Sequence, residues 1–352
     1  MIGNRVSRRD ALSRLAGGGL GLGALLRGQE RGAPAAIRSA VADGIPTWTT
    51  EMRQLAPNVY AYIQGGGPGQ LNQGVSNGGI IVGEDHVLVI DSLGAPIHAK
   101  NYIAAIRRTV PDKPMGRIVI THHHQDHIAG LPFFPKMEIV AHEYCRKEML
   151  AMTFPSPTWD KRDGWAEGGE PRRIVPPTTV INDRATYYYG NTEVQLITMA
   201  PAHTWGDIAI YLPQSRVLFA GDIGFFYVAP FLNNGHATKW MEVCDRILGM
   251  DVQTIVPGHG PLGGKRDLAA MSEYLALFKA EAWKRYNAGL TPGQAAAEIT
   301  LGKFDTWIGA RDRLPMNAVR LYAEFSGTLN PSFDAQGVQR AADEMNAILK
   351  KK

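Results

Sequence analysis

Residues His122-His123-His124-Gln125-Asp126-His127 place four histidines and an aspartate within six positions, directly after the apolar run Arg117-Ile-Val-Ile-Thr121. So dense a group of imidazoles and a carboxylate is costly to leave unpaired at the end of a buried strand, and packing alone gives no reason to keep it. Side chains alternate along an extended chain, so His122 and His124 face the same side. The turn that follows brings Asp126 and His127 to a second position nearby. Imidazole nitrogen and carboxylate oxygen are donors that zinc accepts, so the spacing points to a metal centre at a strand end.

The rest of the chain supplies a frame. Val59-Tyr-Ala-Tyr-Ile63, Gly79-Ile-Ile-Val82 and Val87-Leu-Val-Ile90 read as strands, the last two joined by the turn Gly83-Glu-Asp85. Residues 96–108 read as a helix with Ile97, Tyr102, Ile103 and Ile106 on one face. Ile139-Val-Ala141 is a short strand followed by a helix through Met149. Residues 153–183, rich in Pro, Gly and charge, read as a loop inserted over a site. Strands resume at Thr192–Met199, Ile208–Leu212, Val217–Ala220 and Thr254–Val256, with a helix around Trp240–Leu248; from Asp267 the chain is mostly helical. Strands, then helix, then strand, in two successive halves, suggest a layered α/β protein with helices outside two packed sheets. Periodicity leaves a doubly wound sheet open; the histidine motif decides against it.

The motif His-x-His-x-Asp-His resembles that of the metallo-β-lactamase superfamily, and four further motifs agree in order: Asp91 in Val-Ile-Asp-Ser-Leu-Gly, His203 in Pro-Ala-His-Thr, Asp222 in Phe-Ala-Gly-Asp, and His259 in Val-Pro-Gly-His-Gly. The resemblance spans about residues 55–265. It implies a four-layer αββα sandwich with a helical C-terminal extension. It also implies two zinc ions per chain, with iron or manganese open as alternatives. By this resemblance His122, His124 and His203 hold one metal, Asp126, His127 and His259 hold the other, and Asp222 bridges. Asp91 supports the ligands from behind. The implied nucleophile is a hydroxide between the metals, with Asp126 or Asp222 orienting it and passing a proton to the leaving group. Zinc is favoured because His124 stands where flavin-bearing iron relatives often carry an acid.

Two features bear on location and partners. Ser7-Arg-Arg-Asp-Ala-Leu12 precedes the short Gly- and Leu-rich stretch Leu15–Leu26, as in a twin-arginine export signal, and Ala33-Pro-Ala35 and Ala40-Val-Ala42 both fit a cleavage site. The organisation expected is an export signal over 1–42, a metallo-β-lactamase-fold domain over 43–288, and a helical extension over 289–352 packed on the same domain. The expected address is periplasmic or secreted, and the partners are the twin-arginine export machinery and a small-molecule substrate. The formal net charge of +4 does not point to nucleic acid. The first 42 residues hold seven arginines against Asp10 and Glu30, a net of +5, so residues 43–352 carry about −1. No membrane span is expected, since no segment offers ~18 unbroken apolar residues.

Several signals have blander readings. Gly74-Val-Ser-Asn-Gly78 matches the serine-hydrolase elbow, but that motif needs a strand before it and a helix after it, and here a strand follows; Ser76 is given no catalytic role. Gly65–Gly69 imitates a phosphate loop without the Lys-Ser/Thr that one requires, and reads as a flap beside the site. His123 is expected to face outward or to sit behind the ligands, and His142 to cap or pack. His236, in Asn233-Asn-Gly-His236, lies on a loop after Asp222, where contact with a substrate is the less favoured reading. Trp205, Phe225, Phe226 and Tyr227 follow ligands closely, so they either pack in the core or border the cleft. Cys145 and Cys244 are two buried thiols or one disulfide; sequence does not choose.

The expected activity is cleavage of an ester, lactone or related carbonyl substrate. The alternatives are β-lactam hydrolysis, and a non-catalytic metal-binding periplasmic accessory role in a quinoprotein relay. Dedicated β-lactamases of the family generally lack an aspartate at the position of Asp222, and a complete ligand set exceeds what an accessory module needs.

Overall fold

A computed structural model describes residues 44–70, 75–94, 96–152 and 173–351. The expected export signal and most of the expected inserted loop lie outside the described residues.

Twelve strands form two sheets among those residues. The first contains β1 (Glu51–Ala56), β2 (Val59–Ile63), β3 (Gly78–Val82), β4 (Val87–Ile90), β5 (Met115–Val119), β6 (Glu138–His142) and β7 (Thr179–Ile181), in sequence order. The second runs from β12 (Thr254–His259) through β11 (Val217–Phe225), β10 (Ile208–Leu212) and β9 (Thr192–Thr198) to β8 (Arg184–Tyr189). β1 to β4 pair antiparallel, β4 to β7 parallel, β8 to β11 antiparallel, and β11 with β12 parallel. The helices are α1 (Pro96–Thr109), α2 (Gln125–Ile128), α3 (Glu143–Ala151), α4 (Ala237–Gly249), α5 (Lys265–Asn287), α6 (Pro292–Glu298), α7 (Leu314–Phe325) and α8 (Ala335–Leu349).

The near-continuous apolar runs have a direct cause: both faces of each sheet are covered. Alternate residues of one strand therefore enter different cores. Leu88 and Ile90 of β4 join Ile81, Val119, Val194, Ile210 and Phe219 between the sheets, while Val87 and Val89 pack outward with Tyr102 and Ile106 of α1. Likewise Val217 and Phe219 of β11 point between the sheets, whereas Leu218 and Ala220 meet Trp240 of α4 and Tyr274 and Phe278 of α5. Each fully buried aliphatic or aromatic side chain here is worth about 1.5–3 kcal/mol. The order is thus helix, sheet, sheet, helix: the four-layer αββα sandwich. The outer core of the second sheet continues through Phe304, Ala318, Leu321 and Met345, so the C-terminal helices share that core.

Three local readings are revised. Ile97 does not belong to the buried face of α1; it is 56% exposed, because it stands about 200° around the helix from Ala99 in the stripe Ala99, Tyr102, Ile103 and Ile106. β1 and β8 fall where no strand is expected from the sequence, and β7 lies at the end of the stretch 153–183 that reads as a loop. All three are edge strands, short or with polar, partly exposed faces, so none has the apolar run that marks a covered strand. β11 extends to Phe225, past Ala220, and carries Asp222 within it. Cys145 and Cys244 are separate buried thiols. No helix among the described residues is long and apolar enough to cross a membrane.

Candidate metal centre

The seven residues converge on one edge of the sandwich. His122 and His124 follow β5, Asp126 and His127 lie on α2, His203 follows β9, Asp222 is in β11, and His259 ends β12. The positions depend on a few backbone constraints. Pairing between β11 and β12 is irregular from Gly221 to Phe225, which re-aims Asp222 into the site. Gly258 is required beside it, since a Cβ there would lie 1.9 Å from Asp222 Oδ1. Asp91 adopts the left-handed region at φ 56°, held by its own side-chain hydrogen bonds.

Two sets of ligand atoms result. His122, His124, His203 and Asp222 bring one donor atom each within 4.8 Å of the others, and so do Asp126, His127 and His259. Asp222 joins the two sets. Its Oδ2 lies 3.2 Å from His203 Nε2, 3.4 Å from His259 Nε2 and 3.6 Å from His122 Nε2, while Oδ1 lies 3.0 Å from His127 Nε2. Asp126 Oδ2 is 3.1 Å from His259 Nε2. Asp222 is buried, whereas the Asp126 side chain is 46% exposed and forms the open rim.

Four of the five ligand imidazoles are oriented by hydrogen bonds from behind. Asp91 Oδ1 accepts from Thr121 N at 2.8 Å, and Oδ2 accepts from His127 Nδ1 at 2.7 Å and from Thr121 Oγ1 at 2.8 Å. Thr121 Oγ1 in turn lies 3.1 Å from His122 Nδ1, so one carboxylate fixes two ligand rings. His203 Nδ1 donates to Phe231 O at 2.8 Å, and His124 Nε2 donates to Asn234 Oδ1 at 2.9 Å. These bonds occupy the outward nitrogens and leave His122 Nε2, His127 Nε2, His203 Nε2 and His124 Nδ1 facing inward, the arrangement expected of metal-binding histidines.

Those atoms fit a cation. His122 Nε2, His127 Nε2 and Asp222 Oδ1 are buried without a hydrogen-bond partner, although two of them approach within 3.0 Å. His124 Nδ1 and His203 Nε2, both inward-facing, lie 2.8 Å apart. Burial lowers His122 and lowers His124 to about 4, which leaves their lone pairs free. Burial also opposes charge on His127 and His259, yet Asp222 and Asp126 outweigh it, raising His127 and pushing His259 up to about 9. Burial likewise works against a charged Asp222, but the surrounding imidazoles hold it well below the carboxylate range. Protons on imidazole thus stand in for positive charge that the two carboxylates demand and that divalent cations would supply.

A sequence profile described as the Metallo-beta-lactamase superfamily matches residues 71–259, more than half of the chain. The chain belongs to the metallo-β-lactamase superfamily. It is a hydrolase of that superfamily with a site built for divalent metal. It is 28% identical over 240 residues to the alpha subunit of 2,4-dinitroanisole O-demethylase from Nocardioides sp., covering 66% of this chain and 67% of that relative. It is 24% identical over 254 residues to a linear primary-alkylsulfatase from Pseudomonas sp., covering 61% of this chain and 48% of the relative. Among solved structures, an inverting sec-alkylsulfatase from Pseudomonas sp. superposes with a TM-score of 0.59 at 18% identity, over 79% of this chain and 50% of that one. The chain therefore spans about half the length of both alkylsulfatases.

The remaining sequence signals resolve individually. Ser76 is no free nucleophile: its Oγ donates to Asp126 O at 2.5 Å, and its backbone bridges to His259. It holds the metal loop, which agrees with the expectation that it has no catalytic role. His123 is buried beside Tyr144 rather than facing outward. His142 caps α3 by accepting from Tyr144 N. His236 turns towards α7, with Nδ1 3.3 Å from Glu324 Oε2. Phe225 stacks on His259 at 4.9 Å, while Tyr227 packs against Trp307. Gly66 pairs with Trp48 within the Gly65–Gly69 segment.

Sequence reasoning missed the loop that backs the site. Residues 230–235 present Phe231 O to His203 and Asn234 to His124, and α7 clamps this loop. Asn317 Oδ1 accepts from Leu232 N, and its Nδ2 donates to Pro230 O; Arg320 donates to Gly235 O and Asn234 O. Asn234 also donates to Pro331 O. These partners are separated from the ligands by up to 110 residues, so no local spacing announces them.

Proposed function

We propose that this superfamily member is an exported dinuclear zinc hydrolase that cleaves an ester, lactone or related carbonyl substrate. The observation that carries the reading is the position of Asp222, whose two oxygens face the two ligand sets. His122, His124 and His203 would hold one ion, Asp126, His127 and His259 the other, and Asp222 both. Such ions supply Lewis acidity and lower the pKa of attacking water.

The chain's own residues do the rest. Asp91 and Thr121 keep His122 and His127 in the tautomer that points Nε2 inward. Phe231 O and Asn234 do the same for His203 and His124. Asp126 lies on the open rim, and the oxygen that its ligand role leaves free would take a proton from the attacking water and return it to the leaving oxygen. Asp222, buried, is placed to hold rather than to shuttle. Residues 1–42 support export by the twin-arginine route.

The test is elemental analysis of protein purified without added metal, followed by a screen of esters, lactones and β-lactams. About two zinc ions per chain, with activity lost on chelation and restored by zinc, is the expected result. One metal at saturation, or iron alone, defeats the dinuclear zinc assignment. Full metal loading without turnover of any substrate class favours the accessory-protein alternative.

A further inference from the structure

Arg313 stands at the start of α7, outside the matched region 71–259. It is 8% exposed, and its guanidinium has no hydrogen bond or ion pair among the described residues; Nη1 is fully enclosed without a partner. Its contact is with an aromatic ring: Cζ lies 3.6 Å from the centroid of Phe231. The neighbouring Asp312 is exposed and forms no ion pair with it, although its charge favours the guanidinium. Every other described arginine that is buried to this degree is satisfied: Arg320 donates to three carbonyls. An enclosed guanidinium without an anion is expensive, and stability does not account for keeping it.

Its location explains the cost. The Phe231 ring that fixes the guanidinium plane belongs to the residue whose carbonyl accepts from His203 Nδ1. That ring lies 6.5 Å from Phe225, which stacks on His259. Two aromatic rings thus lie between the cation and ligands of both sets. Burial lowers Arg313 to about 10, with Tyr274, Asp222, Asp312 and Asp126 offsetting part of the loss, so it stays charged at neutral pH. Neither carboxylate pairs with it, since both are committed to the imidazoles. A guanidinium fork packed 3.6 Å from the centroid of the ring of Phe231, whose carbonyl holds a ligand histidine, suits a carboxylate or sulfate, which accept two parallel N–H bonds.

We propose that Arg313 forms an anion subsite of the metal centre, where its guanidinium receives a carboxylate or sulfate oxyanion carried by the substrate. This rests on the hydrolase reading and narrows it: the preferred substrate is an anionic ester, with its charge beside the bond that is cut. The C-terminal helical region contributes this selectivity, and the superfamily core supplies the metals.

The test compares zinc-loaded wild type with Arg313→Lys and Arg313→Met on the 4-nitrophenyl esters of butyrate and of succinate (the hemiester) and on 4-nitrophenyl sulfate. Loss of a charge-assisted hydrogen bond predicts a drop in kcat/KM of about 10- to 100-fold for the anionic substrate in Arg313→Met, with a smaller drop in Arg313→Lys. Turnover of the neutral butyrate should change little. The succinate and sulfate arms separate the two oxyanions. Thermal shift by succinate and by inorganic sulfate is measured in parallel, so the subsite is read even if no ester is cleaved; binding lost in Arg313→Met supports it, and its failure is then distinct from failure of the hydrolase reading. Equal losses on neutral and anionic esters, or anion binding unchanged in both variants, overturn the proposal. Because Arg313→Met risks the fold, Arg313→Lys carries the decision if the methionine variant melts early.

Discussion

Replacing Asn317 with alanine tests whether the C-terminal helices hold the metal site or merely sit beside it. Asn317 is completely buried, and both ends of its amide are used, accepting from Leu232 N at 3.0 Å and donating to Pro230 O at 2.9 Å. Alanine leaves a buried N–H and a buried C=O without partners. At ~1–3 kcal/mol for each orphaned group, the loss is about 2–6 kcal/mol, the lower end applying if water enters. Stability is best read on metal-free protein in chelator, by urea unfolding, because bound metal would mask the effect through mass action. The same loop carries Phe231 O and Asn234, so its loosening should also weaken metal retention. Asn234→Ala, which removes the direct partner of His124, should show the ~10- to 100-fold affinity loss typical of such partners, and Asn317→Ala a smaller one. Asn317→Asp keeps the acceptor for Leu232 N but sets an oxygen against Pro230 O, so it should rescue little. A stability change within about 0.5 kcal/mol, together with unchanged chelator resistance, would refute the clamp.

Three further outcomes are expected. Asp222→Ala should lower turnover far more than KM and lower bound metal, measured by steady-state kinetics and elemental analysis; full metal content with retained activity would sink the bridging role. Ser76→Ala should slow turnover modestly through the loosened Asp126 loop and leave fold stability within about 1–2 kcal/mol, since it removes one buried hydrogen bond; complete inactivation with full metal would instead make Ser76 the nucleophile. Replacing Arg8 and Arg9 with Lys should leave active enzyme in the cytoplasmic fraction, and undiminished export, followed by fractionation, would remove the twin-arginine assignment.

The sequence by itself determined the two-sheet frame and the residues that converge at its edge. Strands covered on both faces must be apolar at every position, and Val87–Ile90 and Val217–Ala220 carry that record; the ligands sit at the ends of such strands in motifs short enough to read locally. Edge strands β1, β7 and β8 escaped because each is partly exposed and the apolar run is missing or only three residues long. Ile97 misled because helical phase decides burial, and one apolar residue off the stripe carries no mark of its phase. Only the tertiary structure decided what stands behind and beside the ligands. Asn234, Asn317, Arg313 and the carbonyl of Phe231 act through contacts spanning 28 to 110 residues of sequence where a bond is measured, or through an aromatic ring face, and a backbone carbonyl has no sequence signature at all. Ligand chemistry is written in residue type, whereas orientation and selectivity depend on where two distant segments meet.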